Sequence, residues 1–319
     1  MKVVAMSLVE RTEDQTTLNE ISGIAHWTRK GDVPLFLWEK RAQTEPPSHG
    51  TILFVHGSSM SALPTFDLQV FGAEPTYSAM DWFAGRGFDT WCVDLEGYGR
   101  SGKARDINFD IANGVEDLVA ATDYIMAERD TGPLLIYGIS SGALRGALFA
   151  QQHPDRVARL VLDAMVWTGH GSPTLNERRK NIDRFVKQNR RPIDRAFVQS
   201  VFDRDHPGCA EQAAIDAFAD AILHYDDSMP TGTYVDMCTK LPVVDPEQIA
   251  VPTAILRGEF DGIATMGDLV EFFIKLPNPD KQFSVMPGIS HASFQQKNRS
   301  ITYHLLEAFL RVPRAQFLG

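Results

Sequence analysis

The sequence predicts an α/β protein: a mostly parallel sheet of eight strands, flanked by helices and interrupted by a helical insertion. Three observations carry this prediction. Short, almost wholly apolar runs such as TILFV (Thr51–Val55) and LLIY (Leu134–Tyr137) have the pattern of strands buried on both faces. Segments with helical spacing of apolar residues lie between those runs. From 166 to 249 the alternation stops and the chain becomes polar and helix-rich.

The elements follow in order. Ile24–Thr28 and Leu35–Lys40 are strands separated by the turn signal Lys30-Gly31-Asp32. Thr51–Val55 ends at His56-Gly57, and Tyr77–Arg86 reads as a helix stopped by Gly87. Thr90–Val93 is the next strand. Asn113–Arg129 places Val115, Leu118, Val119, Thr122, Ile125 and Met126 on one helical face, and it leads into strand Leu134–Tyr137. Helix Gly142–Gln152 ends before His153-Pro154, and strand Leu160–Leu162 follows. After the insertion come strand Thr253–Leu256, helix Met266–Lys275, strand Gln282–Val285 and helix Ser300–Leu310. The first 23 residues are polar and expected to be loosely held. This divides the chain into a core domain of 1–165 and 250–319 and an inserted cap of 166–249. An insertion between two strands of a parallel sheet belongs over their carboxyl ends, where such sheets bind ligands.

Bulk properties narrow the function. With 319 residues, 44% of them hydrophobic and 23% charged, the chain can bury a core without staples. A formal charge of −10 argues against nucleic acid or an anionic membrane as partner. The basic residues Arg178, Arg179, Lys180, Lys187, Arg190 and Arg191 read as a solvated helix face. Cys92, Cys209 and Cys238 form neither a disulfide framework nor a zinc pattern. The start of the chain lacks a cleavage signal and no run approaches a membrane span, so a cytoplasmic location is expected. Oligomeric state stays open, a homodimer included.

One stretch carries chemistry. GISSG is G-x-S-x-G, with Gly138, Ser140 and Gly142 in register, an apolar strand before it and a helix after it. A nucleophile on so sharp an elbow needs small neighbours, and the two glycines supply them. The adjacent Ser141 falls out of that register. A serine needs a base, and the base needs an orienting carboxylate. Asp261 follows one late strand in LRGEFDGIA, and His291 follows the last strand in VMPGISHAS. An oxyanion hole would come from the backbone N–H of Ser141 and that of Ser58 in FVHGSS.

On five ordered segments, FVHGSS, VDLEGYGRSG, YGISSGAL, RGEFDGI and PGISHAS, the chain resembles the α/β-hydrolase superfamily over Ile24 to Leu310, apart from the insertion. The resemblance implies an esterase- or lipase-like serine hydrolase with a helical cap, a triad of Ser140, Asp261 and His291, and no cofactor or metal. It departs in two places: the loop from Ser58 to Tyr77 is long, and Ala143 replaces the usual second glycine after the elbow.

Competing assignments bear on several residues. His56 is expected to order the oxyanion loop and His153 to end a helix, while His170, His206 and His224 lie in the insertion. Asp163 also ends a strand and competes with Asp261 for the role of acid; Glu259 lies two residues short of the usual position. Arg145 is expected to pair with Asp94 or Asp163. Phe66, Phe71 and Trp167 are candidates for an apolar substrate pocket, with Phe197 and Phe202 beside them. The expected substrate is a small to medium apolar carboxylic ester. Lactone, thioester or carbon–carbon bond hydrolysis would use the same triad, and a hydrolase-like small-molecule receptor is the alternative from another class.

Overall fold

The computed structural model describes residues 22–43, 47 and 49–313. The start of the segment expected to be loosely held, up to residue 21, lies outside the described residues. Strands β1 (Ile24–Lys30) and β2 (Val33–Lys40) form a hairpin, followed by β3 (Thr51–Val55), α1 (Ala62–Phe66), α2 (Ala79–Ala84) and β4 (Asp89–Val93). Then come α3 (Ile111–Arg129), β5 (Leu134–Ile139), α4 (Ser141–Gln152) and β6 (Val157–Asp163). Between β6 and the next sheet strand lie α5 (Pro173–Arg179), α6 (Ile182–Lys187), β7 (Arg190–Pro192), α7 (Arg195–Asp203), α8 (Gln212–Leu223), β8 (Ser228–Pro230) and α9 (Gly232–Thr239). The chain closes with β9 (Thr253–Gly258), α10 (Met266–Lys275), β10 (Lys281–Met286) and α11 (Arg299–Leu310).

The eight-stranded sheet runs β1-β2-β4-β3-β5-β6-β9-β10, antiparallel only where β2 meets β1 and β4. Every residue of β3, β4 and β5 is buried, because helices cover both faces. The period of two along each strand divides the core into two layers. Leu53, Val55, Trp91, Val93, Leu134 and Ile136 point to the side of α3, α4 and α10. Ile52, Phe54, Cys92, Leu135, Tyr137 and Ile139 point to the side of α2 and α11. Burying a side chain such as Phe54 contributes about 1.5–3 kcal/mol, and its ring stacks on Phe66 at 5.1 Å.

Helix starts are set by side-chain caps. Asp110 accepts from the Asn113 N–H, so α3 begins at Ile111, ahead of the residue suggested by apolar spacing. Ser78 accepts from the Asp81 N–H and starts α2 at Ala79. The segment between β6 and β9 is mostly helical, as expected, but it also holds a short antiparallel ribbon of β7 and β8. Three-residue strands built from RRP and SMP are too short to show a period.

Candidate active site

The turn from β5 into α4 places Ser140 at φ +59° and ψ −124°, a conformation that non-glycine residues rarely adopt. Its N–H donates to the Asp163 carbonyl at 2.9 Å, which helps hold the strained turn. The flanking glycines are required by close approach. A Cβ on Gly138 would lie 2.4 Å from the Gly142 carbonyl oxygen, and one on Gly142 would lie 2.3 Å from the Val55 carbonyl oxygen.

Two other strand ends meet this elbow. The loops after β9 and β10 are joined by bonds from Glu259 N–H to the Met286 carbonyl (2.9 Å) and from Phe260 N–H to the Ile289 carbonyl (3.0 Å). Gly258 permits this contact, since a Cβ there would fall 2.3 Å from the Ser290 carbonyl oxygen. Glu259 serves the same junction by accepting from the Gly288 N–H at 2.8 Å. His291 therefore lies between the other two groups. Its Nε2 is 2.9 Å from Ser140 Oγ, and its Nδ1 is 3.0 Å from Asp261 Oδ1.

The charge on Asp261 favours one tautomer of a neutral His291. Burial would raise the Asp261 pKa, but His291 and the Ile263 N–H outweigh it and hold the carboxyl below its ordinary value. An ionised carboxylate only accepts, so Nδ1 carries the proton and Nε2 accepts from the Ser140 hydroxyl. Asp163, the competing acid, does not touch the imidazole. It takes the Tyr137 hydroxyl at 2.5 Å, and burial lifts its pKa to about 7. Asp205, from the inserted segment, has a carboxylate oxygen within 4.8 Å of ligand atoms of Asp261 and His291. That trio has metal-ligand chemistry, but Asp261 and His291 bond to each other and Asp205 pairs with Arg204 at 2.7 Å. The contacts are those of a hydrogen-bonded relay.

The loop after β3 lies against the elbow: a Cβ on Gly57 would be 3.1 Å from Ser140 Cβ. His56 orders this loop. Burial, reinforced by Arg145, lowers its pKa to about 3, so it is neutral. Its Nε2 accepts from the Leu95 N–H at 3.1 Å, and its Nδ1 donates to the Gly57 carbonyl at 2.8 Å. Asp94 secures the rim by accepting from Ala62 N–H and Arg100 N–H at 2.8 and 2.9 Å. Among the described residues, the backbone N–H groups of Ser58 and Ser141 make no hydrogen bond. The Ser141 N–H stands at the first turn of α4, where the helix dipole favours negative charge.

Several expectations need correcting. Phe66 is sealed in the core among Phe54, Tyr137 and Phe294, on the α2 side of the sheet, and offers no surface to a ligand. Phe71 is fully exposed. Trp167 is a structural tie: its ring packs on Phe272, its Nε1 donates to the Val244 carbonyl at 3.0 Å, and its N–H donates to Asp268. Phe202 packs against Phe218. Arg145 has no carboxylate within ion-pair distance among the described residues. Its guanidinium lies 5.6 Å from the Tyr98 ring, and a Cβ on Gly114 would sit 2.5 Å from its Nε. A cavity of about 500 Å³ beside Leu63–Gln69 and α8 is lined by none of Ser58, Ser140, Asp261 and His291.

The basic residues expected on a solvated face divide. Arg191 is 5% exposed, and its Nη2 donates to Ser59 Oγ at 2.9 Å and reaches the Ser58 carbonyl at 3.4 Å. Its neighbour Arg190 points the other way, to the Gly97 carbonyl and Ser228. The alternation of a strand separates them, and a run of basic residues in sequence carries no sign of it.

Sheet order, elbow and strand-end loops together define an α/β-hydrolase. More narrowly, the model of the family described as Serine aminopeptidase, S33 matches residues 74–298, and the chain belongs to that family. No curated protein matches it by sequence. Solved structures are similar in fold. An esterase from Thermogutta terrifontis is 18% identical over 91% of this chain and 98% of its own, with a TM-score of 0.63. E-2-(acetamidomethylene)succinate hydrolase is 19% identical over 91% and 100%, with a TM-score of 0.66. An epoxide hydrolase from Vigna radiata is 16% identical over 93% and 100%, also at 0.66. No helix among the described residues is long and apolar enough to cross a membrane.

Proposed function

We propose that the protein hydrolyses a carboxylic ester through an acyl-enzyme, with Ser140 as nucleophile, His291 as base and Asp261 as its orienting acid. The carrying observation is the continuous bond from Ser140 Oγ to His291 Nε2 (2.9 Å) and from Nδ1 to Asp261 (3.0 Å) on a strained elbow. Oγ attacks the ester carbonyl as its proton passes to Nε2. The resulting oxyanion is received by the unbonded N–H groups of Ser58 and Ser141. Collapse expels the alcohol, which takes the proton from Nε2. Water, deprotonated by the same nitrogen, then releases the acid and restores the serine. Asp261 holds the tautomer and stabilises the imidazolium.

We read residues 166–249 as a cap over a core formed by 1–165 and 250–319. An ester suits this site better than a peptide with a free amino terminus. The charged group that the cap presents at the Ser58–Ser59 loop is Arg191, which repels an ammonium, and Asp205 is already paired with Arg204. The unpaired cysteines Cys92, Cys209 and Cys238 fit a reducing cytoplasm.

The test is Ser140→Ala assayed on p-nitrophenyl butyrate, with fluorophosphonate labelling mapped by mass spectrometry. A fall in kcat on the order of 10⁶ and a label on Ser140 are expected. Activity retained by the variant, or a label on Ser141, rejects the assignment.

A further inference from the structure

The inserted segment buries positive charge without matching it. Arg191 of β7 is buried, and its Nε has no hydrogen-bond partner among the described residues. Arg178 of α5 is half-buried, and its Nη1, sealed from solvent, has no hydrogen-bond partner among the described residues. Both guanidinium groups lie over the ring of Tyr234, at 4.0 Å for Arg178 and 4.5 Å for Arg191. The Tyr234 hydroxyl is 3.0 Å from Ser59 Oγ, which Arg191 also holds. Among the described residues, no carboxylate lies within 4.0 Å of either arginine. A buried guanidinium without a counter-charge is strongly disfavoured, so the site is electrically incomplete.

The protein's own groups do not fill the deficit. Arg204, the third cation facing Tyr234, is matched by Asp205. Burial would raise the Tyr234 phenol, but Arg178 and Arg191 pull it down to about 7. One phenol, even fully ionised, cannot neutralise two arginines. The cluster also lies next to the chemistry, because Arg191 bonds to Ser58 and Ser59 and the preceding residue, Gly57, packs on Ser140. The side chain of Arg204, 29% exposed, marks an edge open to solvent.

We propose that Arg178 and Arg191, with Ser59 and Tyr234, form an anion-binding subsite beside the oxyanion loop, and that the substrate is an ester carrying a carboxylate, such as the hemiester of a short dicarboxylic acid. The planar fork of a guanidinium matches a carboxylate through two parallel bonds, which selects this anion over a halide or a lone hydroxyl. The substrate class rests on the Ser140 reading; the subsite itself does not.

Two measurements on the full chain separate these. The first compares mono-p-nitrophenyl glutarate with p-nitrophenyl valerate, which has the same acyl length and no charge. The hemiester is expected to be favoured ~10- to 100-fold in kcat/KM, chiefly through KM. Arg178→Gln is expected to bring the ratio near one, and Arg178→Lys to restore part of it by returning the charge without the fork. The second titrates glutarate into Ser140→Ala protein by calorimetry, with inorganic phosphate as comparison. Saturable glutarate binding, weakened at least ~10-fold by adding Arg178→Gln, is expected. Equal kcat/KM for the two esters, a ratio untouched by Arg178→Gln, or phosphate binding in place of glutarate overturns the proposal. Ester hydrolysis surviving Ser140→Ala while glutarate still binds overturns only the nucleophile. Should Arg178→Gln fail to fold, Arg178→Lys carries the same comparison.

Discussion

The elbow and the inserted segment solve opposite problems. At the base of the site, Ser140, His291 and Asp261 come from three strand ends, and hydrogen bonds join each to the next. Between β6 and β9, Arg191 is buried and Arg178 half-buried, and neither has a carboxylate partner among the described residues. A bonded relay of this kind would, on the proposed reading, be pre-organised for any substrate with a suitable carbonyl. An unmatched set would be completed, on the proposal above, by a ligand of one charge. On the proposed readings, reactivity belongs to the sheet and selectivity to the segment between β6 and β9.

The largest expected effect tests the base of the site. Asp261→Asn should lower kcat by about 10⁴, because an amide holds the wrong tautomer. Asp163→Asn, on a carboxylate that does not touch His291, should cost far less. Equal losses in steady-state kinetics would break the assignment of the acid.

Next in size is a backbone effect. Gly142→Ala forces a Cβ to 2.3 and 2.5 Å from the Val55 and His56 carbonyl oxygens, so the elbow or the oxyanion loop must shift. We expect a loss of roughly 2–4 kcal/mol and a lower kcat, read by thermal melts and ester assay. Gly267→Ala on α10, where an added Cβ meets nothing within 4 Å, should be neutral or stabilising by up to about 1 kcal/mol. Similar melts for the two would show that the elbow is not rigid.

The smallest effect concerns pH. Burial raises the folded-state pKa of Asp163 to about 7 from an ordinary 3.8. Between those values the unfolded chain has lost this proton and the folded chain keeps it, so this residue makes stability fall as pH rises. Asp163→Asn removes the penalty while leaving an oxygen to accept from Tyr137. Its melting temperature relative to the parent should climb between pH 4 and 7 and level off above. A flat difference would mean that the carboxyl is ionised throughout.

Legibility followed the range of the interactions. The eight sheet strands were readable because two-sided burial writes an apolar run directly into the chain. The elbow was readable because its strain demands glycines two residues away on either side. Strand order points to Asp261 and His291; His291 meets the elbow serine, and Asp261 meets His291. Phe66 and Phe71 misled because an aromatic side chain looks the same in sequence whether it fills a core or lines a pocket. One is sealed and the other solvated. Arg191 misled for the converse reason: a basic run resembles a solvent face, yet strand alternation in β7 turns one member inward.

The sequence by itself determined the parallel sheet, the elbow and the order of the groups around it, since each depends on local period or on a glycine at a fixed offset. Only the tertiary structure decided which carboxylate meets His291, which aromatic residues are core, and which arginines lie beside the oxyanion loop. Those outcomes depend on contacts between residues far apart in the chain, and burial, which sets the energy of a charge, is a property of the packed molecule alone.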